Sequence, residues 1–219
     1  MGPSRSSRLL LRNRLKVGIY AADGTALVPQ DPSTPVDDSD SSTTQEVYAM
    51  NEVLLHRGST PHLSILNIFV GGRFLTEAVA DGLLISTPTG STAYSLSSGG
   101  SIVHPLVSSL LLTPICPRSL SFRPLVLPAS TPITLTLSDK NRSDEIEVSV
   151  DGVRRDRGLT RGMEVRVVGE DIRGHRRQWG GGVPSIVRAG SAGGREGQDH
   201  WVGGLNGLLK FNYPFGEED

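Results

Sequence analysis

The chain has 219 residues, with 22 Lys plus Arg against 23 Asp plus Glu and a formal net charge of −1. That balance argues against nucleic acid or an anionic membrane as the main partner, and at ~150 residues per domain the length allows one domain with ornaments or two small ones. Hydrophobic residues make up 37% and aromatics 5%, while Gly (26) and Pro (14) are abundant, so the composition excludes long helices and favours short strands, many turns and an aliphatic core.

The first sixteen residues carry Arg5, Arg8, Arg12, Arg14 and Lys16 and no acid. Two readings fit them. One is part of a mitochondrial presequence, which is Arg-rich, Ser-containing and acid-free. The other is a basic strand, because Leu15–Tyr20 alternates apolar and non-apolar residues over most of its length. Residues 29–45 break the composition, with fourteen of seventeen being Asp, Ser, Thr or Pro. Such a segment buries too little apolar surface to offset ordering entropy and reads as a flexible acidic loop.

Val47–Leu55 and Leu63–Val70 are strand candidates, and Gly71-Gly72 supplies the tight turn of a hairpin into Arg73-Phe74-Leu75. Leu83–Thr87 is a buried-type strand ending at Pro88. Thr89–Ser98 is the best helix start in the chain, stopped by Gly99-Gly100. Cys116 is the only cysteine. It excludes an internal disulfide and a Cys-x-x-Cys zinc site, and it points to a reducing compartment. Pro124–Pro128, Ile133–Leu137, Ile146–Val150 and Val165–Val168 complete a series of short strands whose spacing predicts an all-β sandwich. A Gly-rich stretch over 173–200 reads as flexible. Leu205, Leu208 and Leu209 then stand at helical spacing, so 201–219 reads as a short helix and tail. No apolar run approaches ~18 residues, so no membrane-spanning helix is expected.

The run from Asp81 to Gly100 carries the most chemistry. It reads as a buried strand, a Pro88-Thr89-Gly90 turn and a hydroxyl-rich helix. Unpaired N–H groups at a helix start attract polar ligands. Gly90 admits a close approach, Thr89, Ser91 and Thr92 add donors and acceptors, and Tyr94 offers a face for a ring to stack on. A well-capped helix without a ligand fits the same residues. Asp81-Gly82 and Asp151-Gly152 each read equally as hairpin turns.

This run resembles the glycine-rich signature of the NAD kinases. Asn51-Glu52-Val53 resembles that family's Asn-Glu segment, Thr113–Pro124 its eukaryotic branch, and Ser149-Val150-Asp151-Gly152 a later strand-turn. His56-Arg57-Gly58 and Trp201–Asn212 look closest to the fungal mitochondrial NADH kinases. The resemblance covers Leu10 to Asp171 apart from the acidic loop, and returns at Trp201–Phe211.

The resemblance implies a mainly β, NAD-kinase-like C-terminal domain with a few short helices, in which 1–28 opens the β domain and 46–172 binds NAD(H). It implies transfer of the γ-phosphate of ATP, with Mg²⁺, to the adenosine-ribose 2′-hydroxyl of NAD⁺ or NADH, giving NADP(H). Asn51 and Glu52 would hold ribose hydroxyls. Neighbouring strand residues point to opposite faces, so both serve one ligand only at a strand end or bulge. Thr89, Thr92, Ala93, Tyr94 and Ser97 would line the dinucleotide pocket. Asp81 would face it, and Asp151 is a further candidate. No protein ligand to a metal is expected. A homo-oligomer that completes the site, and a mitochondrial matrix location with the cytoplasm as alternative, follow from the same resemblance.

One departure matters. The family's catalytic loop, Gly-Gly-Asp-Gly-Thr, does not occur here. Asp23-Gly24-Thr25 is preceded by two alanines and is followed by Leu27-Val28-Pro29 rather than a helix, so it reads as a hairpin turn. The N-terminal α/β domain is expected to be absent, and the chain to be a fragment, an incomplete coding sequence or a shortened protein. A non-catalytic NAD(H)-binding module or regulatory fragment is the alternative. A lipid kinase of the diacylglycerol and sphingosine kinase group shares the two-domain plan, and the Thr89–Gly100 run argues against it.

Overall fold

Short runs of alternating apolar residues form most of the elements in the computed structural model, which describes residues 8–27, 47–175, 178–187 and 200–209. The acidic loop and the Gly-rich residues 188–199 lie outside the described residues. The chain divides into two units, one of Met1–Leu11 with Pro184–Asp219 and one of Arg12–Val183.

In chain order the first strands are β1 (Arg8–Arg12), β2 (Leu15–Tyr20), β3 (Val47–Ala49), β4 (Glu52–His56), β5 (Ser64–Val70), β6 (Arg73–Ala80) and β7 (Gly82–Ser86). A 3₁₀ turn at Thr89–Thr92 and the short helix α1 (Tyr94–Ser97) follow. Then come β8 (Ser109–Ile115), β9 (Leu125–Pro128), β10 (Ile133–Leu137), β11 (Glu145–Val150), β12 (Val153–Arg154), β13 (Leu159–Thr160) and β14 (Glu164–Gly169). The last elements are β15 (Arg173–His175), β16 (Gln178–Gly180), β17 (Val183–Val187) and α2 (His200–Leu209). β1 pairs with β17, and Arg12 at the end of β1 belongs to the larger unit. α2 is the helix that the spacing of Leu205, Leu208 and Leu209 predicts.

The larger unit holds a six-stranded sheet in the order β3-β2-β14-β10-β5-β6 and a seven-stranded sheet in the order β12-β11-β4-β7-β8-β9, with β13 beside β11. Each registered pair in them is antiparallel. Alternation decides which side chains enter the space between the sheets. Ile133, Leu135 and Leu137 point in, whereas Thr134 and Thr136 point out. Val17, Leu66, Ile68, Leu135 and Val165 of one sheet share a buried cluster with Val53, Leu55, Leu83, Ile85, Leu112 and Val148 of the other. The predicted mainly β sandwich is therefore what forms, with an aliphatic core.

Four elements differ in detail from the sequence reading. The Gly-rich stretch 173–200, read as flexible, holds the strands β15, β16 and β17 among its described residues. The strand expected over Val47–Leu55 is two strands, broken at Met50-Asn51. The helix expected from Thr89 is only a four-residue 3₁₀ turn and a four-residue helix, too short for a macrodipole argument. β8 was not expected as a strand, because Pro114 lies inside it and Pro normally marks a break. β7 and β8 are buried along their whole length, since core lies on one face and the Thr89–Ser98 segment on the other. Asp23-Gly24-Thr25 is a turn, as expected. Gly24 takes φ +82° and the Asp23 carboxylate accepts from the Thr25 N–H at 2.8 Å.

Candidate functional site

The break between β3 and β4 places Asn51 and Glu52 at a strand end. That is the arrangement in which two adjacent residues are free to serve one ligand. What makes the break is Asp151. It follows β11 in an Asp-Gly turn whose two residues take φ +48° and +77°, the positive values of a tight hairpin. Its carboxylate accepts N–H groups of Met50 at 2.6 Å, Asn51 at 2.8 Å and Glu52 at 3.1 Å. Its own N–H donates to the Glu52 carbonyl at 3.0 Å. Asp151 is thus both a hairpin residue and a clamp on the backbone of the Asn51-Glu52 segment.

The turn after β7 docks on the same segment. The Thr87 N–H donates to the Asn51 carbonyl at 2.9 Å, and the Thr87 hydroxyl donates to the Met50 carbonyl at 2.6 Å. Gly90 donates its N–H to the Thr87 hydroxyl oxygen at 3.0 Å. A Cβ on Gly90 would stand 2.1 Å from the Asn51 carbonyl oxygen, so only glycine allows this contact. Behind the turn, Ser91 donates to the Pro88 carbonyl at 2.6 Å and Ser95 shares a hydrogen bond with Thr113 of β8 at 2.9 Å. These buried hydroxyls fasten the segment to the sheet, while Thr92 and Ala93 are half-buried and Tyr94 and Ser97 exposed.

Glu52 pairs with Ser86 across β4 and β7. Among the described residues, Glu52 Oε2 and Ser86 Oγ are the buried side-chain oxygens without a hydrogen-bond partner. Burial, and then the negative charge of Asp151, push the Glu52 carboxyl above its ordinary 4.5. A half-buried carboxyl with an oxygen left over, beside an amide side chain and a hydroxyl-rich turn, is suited to a ligand that supplies hydroxyl donors. Asn51, Glu52, Thr89, Thr92, Ala93, Tyr94 and Ser97 belong to this segment and turn.

Asp81 does not. It sits at the other end of β7, where its carboxylate takes the Arg57 guanidinium at 2.5 Å and its N–H donates to the Ile115 carbonyl at 3.0 Å. Five residue steps of strand, roughly 16 Å, separate it from Ser86. One residue enters the site that the sequence reading had not placed there. Arg12, at the end of β1, donates from its guanidinium to the Thr89 hydroxyl oxygen at 3.2 Å. The only sequence signal for it was the basic run at the start of the chain. Among the described residues no group of three or more His, Cys, Asp or Glu side chains is placed to hold a metal ion.

Residues 50–169 match the family described as ATP-NAD kinase C-terminal domain. The mitochondrial NADH kinase pos5 of Schizosaccharomyces pombe is 47% identical over 174 residues, covering 78% of this chain and 40% of that protein. The mitochondrial NADH kinase POS5 of Saccharomyces cerevisiae is 40% identical over 199 residues, covering 80% of this chain and 46% of the relative. This chain therefore spans less than half the length of either. The crystal structure of yeast NADH kinase complexed with NADH superposes with a TM-score of 0.73 at 38% identity, over 97% of this chain and 52% of that one.

Proposed function

This chain belongs to the ATP-NAD kinase C-terminal domain family, and from that premise we propose that it supplies the dinucleotide-binding part of an NAD(H) kinase. In this reading NAD⁺ or NADH is the substrate and ATP with Mg²⁺ the phosphoryl donor. The adenosine-ribose 2′-hydroxyl receives the γ-phosphate, giving NADP(H).

One observation carries the reading. The buried Oε2 of Glu52 has no partner among the described residues, next to Asn51 in a segment that Asp151 clamps from outside. A carboxylate and an amide held at one strand end match a ribose diol, which donates two hydroxyls in a fixed geometry. Asn51 and Glu52 orient the ribose. Thr89, Thr92, Ala93, Tyr94 and Ser97 line the pocket, with the exposed Tyr94 ring as a stacking face. Asp151 acts on the ligand through the segment it holds. Asp81, at the far end of β7, reaches a dinucleotide only if a second subunit places it there, which fits a homo-oligomer that completes the site. Mg²⁺ would enter with the ATP phosphates, and no step is assigned to protein-held metal. The two fungal relatives are mitochondrial by name, and the same location is proposed here.

The sequence contains no Gly-Gly-Asp-Gly-Thr run, so we assign no general base within this chain. That favours a second reading, NAD(H) binding without turnover. A thermal melt with NADH tests the binding: at 100 times its Kd a ligand adds about 2.7 kcal/mol. No protection by NADH or NAD⁺ overturns the proposal. Incubation with MgATP and NADH then separates the two readings, because NADPH forms only if the chain is itself a kinase.

A further inference from the structure

We propose that Arg12 is a phosphate-binding residue of the nucleotide site, gripping an anionic phosphate group over the Thr89 turn. The proposal rests on the nucleotide reading above and extends it to a residue outside the matched 50–169.

Five other arginines of this chain are held by carboxylates. Arg14, two residues away, is bidentate to Glu170 at 2.8 and 2.6 Å and lies over the Tyr48 ring. Arg57 holds Asp81, Arg154 holds Glu147, Arg161 holds Asp144 and Arg166 holds Glu164. Arg12, like Arg73, Arg123 and the half-buried Arg155, has no carboxylate partner among the described residues, and of these it is the one whose guanidinium meets the hydroxyl of Thr89. Arg12 is half-buried. A half-buried guanidinium that makes one side-chain hydrogen bond among the described residues keeps donors free for an anion.

Its position fits that anion. The Thr87–Gly90 turn carries Thr89, which Arg12 touches, and it is tied through Thr87 to Met50 and Asn51. The diol-suited Asn51-Glu52 pair and the cation thus flank one short turn. A nucleotide has the complementary order, ribose hydroxyls next to phosphate. Guanidinium is the side chain suited to bidentate phosphate recognition. The phosphate belongs either to the dinucleotide or to ATP, and the two are separated by titrating each alone.

The test compares wild type with Arg12→Ala and Arg12→Lys, using NADH, ATP and adenosine as separate probes. Unfolding curves of the free proteins serve as controls, and Arg12→Lys keeps the test open if Arg12→Ala does not fold. We expect Arg12→Ala to weaken NADH or ATP binding about 10- to 100-fold, with a shallower salt dependence and unchanged adenosine binding. Arg12→Lys should recover part of the loss. A loss confined to NADH assigns the dinucleotide phosphate, and one confined to ATP assigns the donor. Equal losses for adenosine and the phosphorylated probes overturn the proposal, because Arg12 then only holds the turn. Unchanged binding of NADH and ATP overturns it as well. If wild type binds none of the three probes, the nucleotide reading falls and takes this proposal with it.

Discussion

The antiparallel pair β4 and β7 has two polar ends built in opposite ways. At one end Arg57 and Asp81 satisfy each other, and the Arg57 N–H also donates to the Asp81 carbonyl at 2.9 Å. At the other, Glu52 and Ser86 face each other in register with buried oxygens that have no partner among the described residues. Leaving polar atoms unpaired costs stability. The first end is finished within the fold. The second is held open by Asp151 and Gly90, and it is the end where the proposed ligand would sit.

The largest effect is expected from Gly90→Ala. Its Cβ would lie 2.1 Å from the Asn51 oxygen, so the turn must part from the Asn51-Glu52 segment. We expect a loss of about 3 kcal/mol in urea unfolding, and NADH binding weakened with it. Asp151→Ala removes the acceptor of three backbone N–H groups and should cost about 2 kcal/mol, whereas Asp151→Asn keeps the turn and should restore part of it. If Asp151→Ala leaves stability intact and abolishes only binding, the clamp is wrong and Asp151 is a direct ligand.

At the closed end, Arg57→Ala should cost about 1 kcal/mol, as for a partly exposed ion pair, and should leave the pH response of the open end as it was. That response is the smallest effect. The Glu52 carboxyl is lifted above 4.5, so the folded state holds its proton longer and stability falls as pH rises above that value. Glu170, beside Arg14, is lowered below 4.5. Its contribution is therefore present above that value and lost as pH falls below it. Unfolding of Glu52→Gln and Glu170→Gln across pH 3–7 (about the carboxylate range) should remove slopes of opposite sign. Equal slopes would erase the contrast between the satisfied and the unsatisfied carboxyl.

Much of this was legible before the structure. Leu15–Tyr20 and Ile133–Leu137 are strands at the boundaries their alternation gives. The Gly71-Gly72 turn has the positive φ values it was read from. β8 was hidden because Pro114 looks like a stop, although it has a regular register partner in Leu83. The strand end that frees Asn51 and Glu52 was stated only as a condition, since no local residue breaks the strand there. Asp151-Gly152 announced a turn correctly, but the backbone it clamps lies 99 to 101 residues earlier. Asp81 entered the expected pocket through the resemblance, and β7 carries it away from Ser86 at about 3.3 Å per residue.

That clamp also sets an order of assembly. Asn51 and Glu52 leave the ribosome about a hundred residues before the carboxylate that fixes them, so the pocket cannot take shape as its own segment emerges. It must wait for β11 to add to β4 and deliver the Asp-Gly hairpin, a long-range closure of the kind that slows folding. A nascent chain halted before Asp151 holds every proposed ribose contact and no working grip on one, so binding competence arrives with the sheet rather than with the motif.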